Sequence, residues 1–170
     1  MNRTIVTLIA LLCAACAACG AEPVKTDPPS LLLEPGQLKD GRTWTVTGAS
    51  HGIWRDLDAS LVPCGKRVIA PMEAATSWRS FTATDGTTMT QVVVSGVDAM
   101  DAFKSFYAEC GTVGSVTSVP GPKNVARHDG EVEVAAMSKD RFIVLAGTGS
   151  DAELQLFAEA ARTQLDAVPS

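Results

Sequence analysis

The stretch Ser77-Trp78-Arg79-Ser80-Phe81-Thr82-Ala83-Thr84-Asp85-Gly86-Thr87-Thr88-Met89-Thr90-Gln91-Val92-Val93-Val94-Ser95 decides the fold. Its arms, Ser77 to Thr84 and Thr88 to Ser95, are rich in Thr, Val and aromatic residues, which suit a pleated surface. Asp85-Gly86-Thr87 between them carries turn chemistry. The stretch predicts a β-hairpin. In its first arm Trp78, Ser80 and Thr82 alternate with Arg79, Phe81 and Ala83, so neither side is purely apolar. Beyond the hairpin, Asp98 is placed to cap a helix. Phe103, Phe106, Tyr107 and Cys110 follow the i, i+3, i+4, i+7 pattern there, and Gly111 ends it.

A second unit follows a Gly, Ser and Pro linker. Val125 to His128, Glu131 to Met137 and Arg141 to Ala146 predict a β-meander, turned by Asp129-Gly130 and by Ser138-Lys139-Asp140. Ser150-Asp151-Ala152-Glu153 is a capping box for a final helix, whose buried face falls on Leu154, Phe157, Ala158, Ala161 and Leu165. Gly96-Val97-Asp98-Ala99 and Gly149-Ser150-Asp151-Ala152 occupy matching places in the two units. The expectation is an α+β domain: an antiparallel β-sheet with two amphipathic helices packed on one face, and one disulfide. With both helices there, the other face is covered by Gly41 to Ala75 or forms a groove.

Towards the N-terminus, Thr43 to Thr47 predicts a strand, and Gly48 to Ala75 is irregular, with Trp54, Leu57, Leu61 and Val68 as core contacts. Leu31-Leu32-Leu33 opens the domain, and Glu34 to Leu38 forms one short helical turn. Residues 19–30 hold Pro23, Pro28 and Pro29 among Glu22, Lys25 and Asp27, a composition that buries too little apolar surface to order itself. Before this tether, Met1-Asn2-Arg3 supplies a cationic start, and the apolar run from Thr4 to Ala18 ends at Cys19-Gly20. The run is shorter than the about 20 residues of a membrane span and has the form of an export signal. Residues 1–18 are then a lipoprotein signal peptide, and Cys19 is the lipidated residue. Cys16 is the alternative acceptor, and cleavage after Ala17 is the route to an unanchored protein. Residues 31–170 form a single domain on the extracytoplasmic face of the cell membrane, held by the N-terminal lipid.

Cys13, Cys16 and Cys19 share the C-x-x-C-x-x-C spacing of some iron–sulfur ligands, but they lie within the export signal. Cys64 and Cys110 remain in the domain, and an oxidising compartment predicts a bridge between them. The chain carries a net charge of -5; without Arg3 the balance is 13 basic against 19 acidic residues. That balance counts against nucleic acid as a partner.

Catalytic patterns are sparse. His51 and His128 stand in no metal spacing, no G-x-S-x-G is present, and Ser50-His51 falls in a predicted turn. Asp56 and Asp58 belong to a solvated loop. Gly147-Thr148-Gly149-Ser150-Asp151-Ala152 matches the dinucleotide fingerprint G-x-G-x-x-A after a strand and before a helix. That fingerprint works within a parallel β-α-β unit, and only Asp166 to Ser170 follow this helix. A strand-to-helix turn with a capping box accounts for the same residues. The sequence therefore predicts no enzyme, no metal and no cofactor.

The order of elements resembles the extracellular sensor domain of PknH-type kinases, found also in free actinobacterial lipoproteins. The matching features are Leu31-Leu32-Leu33, Cys64 before a Trp/Phe strand, Val92-Val93-Val94, and Tyr107-Ala108-Glu109-Cys110, followed by a meander and a terminal helix. The resemblance spans residues 31–166. It departs where the family has a second disulfide and a Trp at the place of Tyr107. It implies an α+β domain with a concave, partly polar face for a ligand, and no catalytic residue. The functional expectation is a cell-envelope lipoprotein acting as a non-enzymatic, sensor-like module for a small molecule or an envelope protein. Trp54 and Trp78 are its candidate apolar walls, and Arg79 is its candidate charge for an anionic group. The alternative is an envelope hydrolase with a site in residues 48–75.

Overall fold

The computed structural model describes residues 31–110, 125–128 and 130–169. The expected signal peptide with Cys16, the tether with Cys19, Gly111, and Asp129 of the predicted turn lie outside these residues. Six strands make one antiparallel sheet: β1 (Trp44–Ile53), β2 (Ala75–Ala83), β3 (Thr88–Ser95), β4 (Val125–His128), β5 (Glu131–Ser138) and β6 (Arg141–Gly147). Two helices, α1 (Ala99–Glu109) and α2 (Asp151–Ala167), complete the α+β fold. The spatial order is β1-β2-β3-β6-β5-β4, so each half of the chain contributes a three-stranded meander and the halves join at β3 and β6.

Local chemistry explains most of these elements. In the β2–β3 turn Gly86 adopts φ +86, and the Asp85 carboxylate accepts from the Thr87 amide at 2.9 Å. A side chain with a Cβ is strained at that φ, which is why Gly stands there. Asp98 caps α1 by accepting from the Asp101 amide at 3.0 Å. At α2 the capping box is complete: Ser150 Oγ accepts from the Glu153 amide at 3.3 Å, and Glu153 accepts from the Ser150 amide at 2.7 Å. The buried positions of α2 are Leu154, Phe157, Ala158, Ala161 and Leu165, as its periodicity predicts. On α1 the buried face is Ala99, Ala102, Ser105 and Phe106, while Tyr107 is 42% exposed.

The helices lie on opposite faces of the sheet, which corrects the one-face expectation. Phe142, Val144 and Ala146 of β6 join Val92 and Val94 in a core with Ala102 and Phe106 of α1. Ile143 and Leu145 join Val93 and Met89 in a second core with Leu154, Phe157, Ala161 and Leu165 of α2. Every residue of β6 is buried. Both rows of β6 need cover, since each large side chain left wet would cost about 1.5–3 kcal/mol, and a helix on each face supplies part of it. The two entry turns differ accordingly. Gly96 takes a left-handed step at φ +72 before α1, whereas α2 is capped by Ser150, one residue earlier than the apparent match of Asp151 with Asp98 suggests.

The remaining cover comes from irregular segments. On the front face, with Val92 and Val144, residues 54–74 bring Trp54, Leu57, Val62 and Val68 down beside α1. There Cys64 and Cys110 are bridged, with Cα atoms 5.5 Å apart, as expected. On the back face, with Phe81 and Ile143, Leu32, Leu33 and Leu38 pack beside α2. Strand β1 is longer than the predicted Thr43 to Thr47: it runs through Ser50 and His51 to Ile53, with a register shift between Val46 and Gly48. Among the described residues, no helix is long and apolar enough to cross a membrane.

Candidate functional site

Strand parity sorts the predicted site residues. Trp78 pairs with Val92 and belongs to the front face; Arg79 pairs with Gln91 and belongs to the back. The side chain of Arg79 is engaged there. Its Nη1 donates to the Leu33 carbonyl at 2.6 Å and pairs with Glu34 at 2.7 Å, which clamps the N-terminal segment to the sheet. Gln91 completes the clamp by accepting from the Leu33 amide at 2.8 Å. Arg79 therefore offers no charge beside Trp78, which corrects that pairing. Trp54 is 3% exposed, with one side in the front core. The Lys66 ammonium sits 4.6 Å over its ring, donating to the Trp54 and Arg55 carbonyls. Burial holds the Lys66 pKa below its ordinary value, with Asp56 partly opposing the shift. Trp54 is thus a core residue rather than a ligand wall.

Trp78 is different, because it is half-buried at a border. On its inner side it packs against the front core. Its six-membered ring lies across β1 at Gly48, where an added Cβ would stand 3.1 Å from Cζ3. At one end of Trp78 a crevice of about 110 Å³ opens between the sheet and residues 56–57, lined by Ser50, Gly52, Asp56, Leu57, Thr76 and Trp78 among others. Liquid water takes about 30 Å³ per molecule, so the crevice admits a small group and not a whole drug-sized ligand.

At the other end of Trp78 the front face stays open. Two rows of small polar residues cross the strands there. Thr45, Thr82 and Thr88 align in one row, and Gly48, Ser80 and Thr90 in the next. Thr45 and Thr88 are exposed, and Ser80, Thr82 and Thr90 are half-buried. Ser80 and Thr90 share a hydrogen bond of 2.7 Å. Neighbouring strands lie about 4.8 Å apart, so the hydroxyls form a flat, closely spaced grid. Arg79 is the one Asp, Glu, Lys or Arg in β1, β2 and β3, and it faces the other way. Sequence reasoning missed this grid. Its signal was the alternation Thr76, Trp78, Ser80, Thr82 together with Thr88 and Thr90.

An ion cluster lies on the back-face side of the sheet, where the Arg42 guanidinium stands 4.9 Å over the Trp44 ring. The Arg42 guanidinium meets Asp40 at 2.6 Å, Glu153 at 2.9 Å and Asp85 at 3.3 Å, and donates to Thr87 Oγ1 at 2.9 Å. Burial pushes the Asp40 carboxyl up, but hydrogen bonds from Arg42 and Trp44 outweigh it and hold its pKa below the ordinary 3.8. Hydrogen bonds from Ser150, with help from the Arg42 charge, lower that of Glu153.

The other predicted features resolve simply. Ser50 pairs with Trp78 and His51 with Ser77, so these adjacent side chains leave opposite faces of β1 and form no nucleophile–base pair. They occupy a strand, not the predicted turn. Asp56 pairs with Arg55 at 3.4 Å, and Asp58 accepts from the Ser60 amide at 2.9 Å, so each carboxylate is engaged locally. Among the described residues no group of His, Cys, Asp or Glu is placed to hold a metal ion. In the G-x-G-x-x-A stretch, Gly147 is fixed by close packing: a Cβ there would stand 2.2 Å from the Thr88 carbonyl oxygen.

No protein-family model matches the chain, and no curated protein matches it. Among solved structures, a GTP binding regulator from Thermotoga maritima is similar to it at 15% identity, over 84% of this chain and 94% of that chain, with a TM-score of 0.44.

Proposed function

We propose that this chain is a cell-envelope lipoprotein, anchored through Cys19, whose domain is a non-enzymatic ligand-binding module of the sensor type. The observation that supports binding is the setting of Trp78. A large amphipathic ring stands half-buried between a crevice and an open polar face, where a ligand can reach it from either side. Around it stand Ser50, Gly52, Thr76 and Ser80 with Asp56 and Leu57, and the parity of β1 sends the Ser50 and His51 side chains to opposite faces, so the lining supports binding over nucleophilic attack. The anchor rests on the sequence before residue 31, and PknH-type sensor domains offer the matching precedent for order of elements.

Two measurements test the proposal. Mass spectrometry of the mature N-terminus, from the full chain expressed in an actinobacterial host, is expected to find diacylglyceryl-modified Cys19; an unmodified N-terminus near Ala18 overturns the anchor. Fractions of cell-envelope extract are expected to raise the melting temperature of the wild-type domain and not of Trp78→Ala, with the bound molecule recovered intact. Recovery of a cleaved molecule makes the protein a hydrolase and overturns the binding reading.

A further inference from the structure

We infer that the open front face of β1, β2 and β3 binds a neutral, polyhydroxylated ligand, a glycan laid flat beside Trp78; this rests on the ligand-binding reading above. Three observations carry it. The face presents Thr45, Ser80, Thr82, Thr88 and Thr90 in register, with Ser50 beyond Trp78. Each hydroxyl both donates and accepts, so the grid satisfies sugar hydroxyls in either sense. The hydrogen bond between Ser80 and Thr90 pre-orients two of them.

Charge decides the class. None of the residues that β1, β2 and β3 present on this face is Asp, Glu, Lys or Arg, Glu133 of β5 is buried beneath Cys64 and Gly65, and Arg79 is engaged on the other side by Leu33 and Glu34. A phosphate or carboxylate would leave its water shell here for no compensating cation. An apolar protein partner is equally unsuited. Of the exposed large apolar residues, Val46, Ile69, Met72, Met100, Tyr107 and Leu156, only Val46 lies in these strands, and it shares the back face with its partner Phe81. What remains is a ligand with many uncharged hydroxyls and an apolar C–H face to set against the indole. The crevice beside Ser50 and Thr76 then takes one projecting substituent.

The test uses the oxidised domain and a panel of neutral oligosaccharides (maltohexaose, cellohexaose and a mannan hexamer), with oligogalacturonate as the acidic control, followed by calorimetry. At least one neutral oligomer is expected to bind saturably, and oligogalacturonate not. Trp78→Ala and the near-isosteric pair Thr82→Val with Thr90→Val are each expected to weaken binding about tenfold, the loss expected for one or two hydrogen bonds. Val46→Thr, on the back face, leaves it unchanged. Thr→Val keeps the β-branched shape, and its circular dichroism and melting curve report on folding. Failure of every neutral oligomer to bind overturns the glycan assignment, as does binding that the Thr→Val pair leaves intact. If an envelope fraction still protects the wild type and not Trp78→Ala, only the ligand class has failed; if none does, the binding reading falls as well.

Discussion

Glu133 and Cys64, 69 residues apart in the chain, are joined by a hydrogen bond of 2.8 Å from the Cys64 amide to the Glu133 carboxylate, and the Gly65 amide donates to the same group at 2.8 Å. Glu133 is 1% exposed on β5. Its carboxylate thus receives the start of the Gly65–Arg67 turn, while the disulfide ties Cys64 to the end of α1. Two unlike bonds hold the irregular cover on the front face at one point.

Glu133→Ala is therefore expected to destabilise the oxidised domain by about 3–5 kcal/mol, because two buried amides lose a charged acceptor. Glu133→Gln keeps one acceptor oxygen and is expected to cost about half as much. Urea denaturation of both variants measures the difference. An unchanged midpoint for Glu133→Ala would mean the carboxylate does not hold this segment.

Cys110→Ser opens a bridge with a sequence separation of 46. The chain-entropy model predicts a loss of about 4 kcal/mol. The double variant with Glu133→Ala is expected to lose less than the sum of the two single losses, since the second change acts on a segment already released. A double-mutant cycle reads this coupling directly. Strict additivity would refute the shared anchor.

Gly147→Ala is expected to cost several kcal/mol or to prevent folding, given the 2.2 Å approach of its Cβ to the Thr88 carbonyl. Gly149→Ala is expected to be mild, since the nearest atom is the end of Glu153 at 3.4 Å. A nucleotide-binding loop would instead lose a ligand at both positions. Melting temperatures of the two variants separate these outcomes.

Acid sensitivity should follow the Arg42 cluster. Asp40 and Glu153 have folded pKa values below their ordinary 3.8 and 4.5, so their contribution is present above those values and is lost as pH falls through the folded ones. Arg42→Ala removes the cation they share. The wild type is expected to lose more stability between neutral pH and pH of about 3 than Arg42→Ala does, by urea midpoints. Equal slopes would show that the cluster contributes nothing measurable.

Arg141 is expected to act as a cap for α2. Nearly buried at the start of β6, it donates to the Leu165 carbonyl at 3.3 Å, the Val168 carbonyl at 3.4 Å and the Pro169 carbonyl at 2.7 Å. A guanidinium at a helix C-terminus satisfies orphan carbonyls and opposes the dipole. Arg141→Ala should cost about 1–3 kcal/mol and speed amide exchange in the last turn of α2. Unaltered exchange there would remove the capping role.

What the sequence by itself determined is what local chemistry controls. The Asp85-Gly86 turn, the Asp98 and Ser150 caps, the buried stripe of α2 and the arms of the central hairpin all follow from residues within a few positions of one another. The disulfide followed from having two cysteines in the domain. Trp54, Leu57 and Val68 were legible as core because large apolar residues in an irregular segment need cover. Even the error about the helices had a local signal: Phe142-Ile143-Val144-Leu145-Ala146 is apolar without alternation, the mark of a strand covered on both sides.

Only the tertiary structure decided the rest, because it depends on which distant strands meet. Parity placed Trp78 and Arg79 on different faces, but only pairing with β3 and contact with Leu33 and Glu34 showed that Arg79 holds the chain rather than a ligand. Thr45, Thr82 and Thr88 are unremarkable apart and become a surface when β1, β2 and β3 align in register. Burial of Glu133 under Cys64 needs β5 to lie beneath residues 64–65. Local propensity carries no term for such long-range pairings, so the hydroxyl face beside Trp78 exists only in the folded chain.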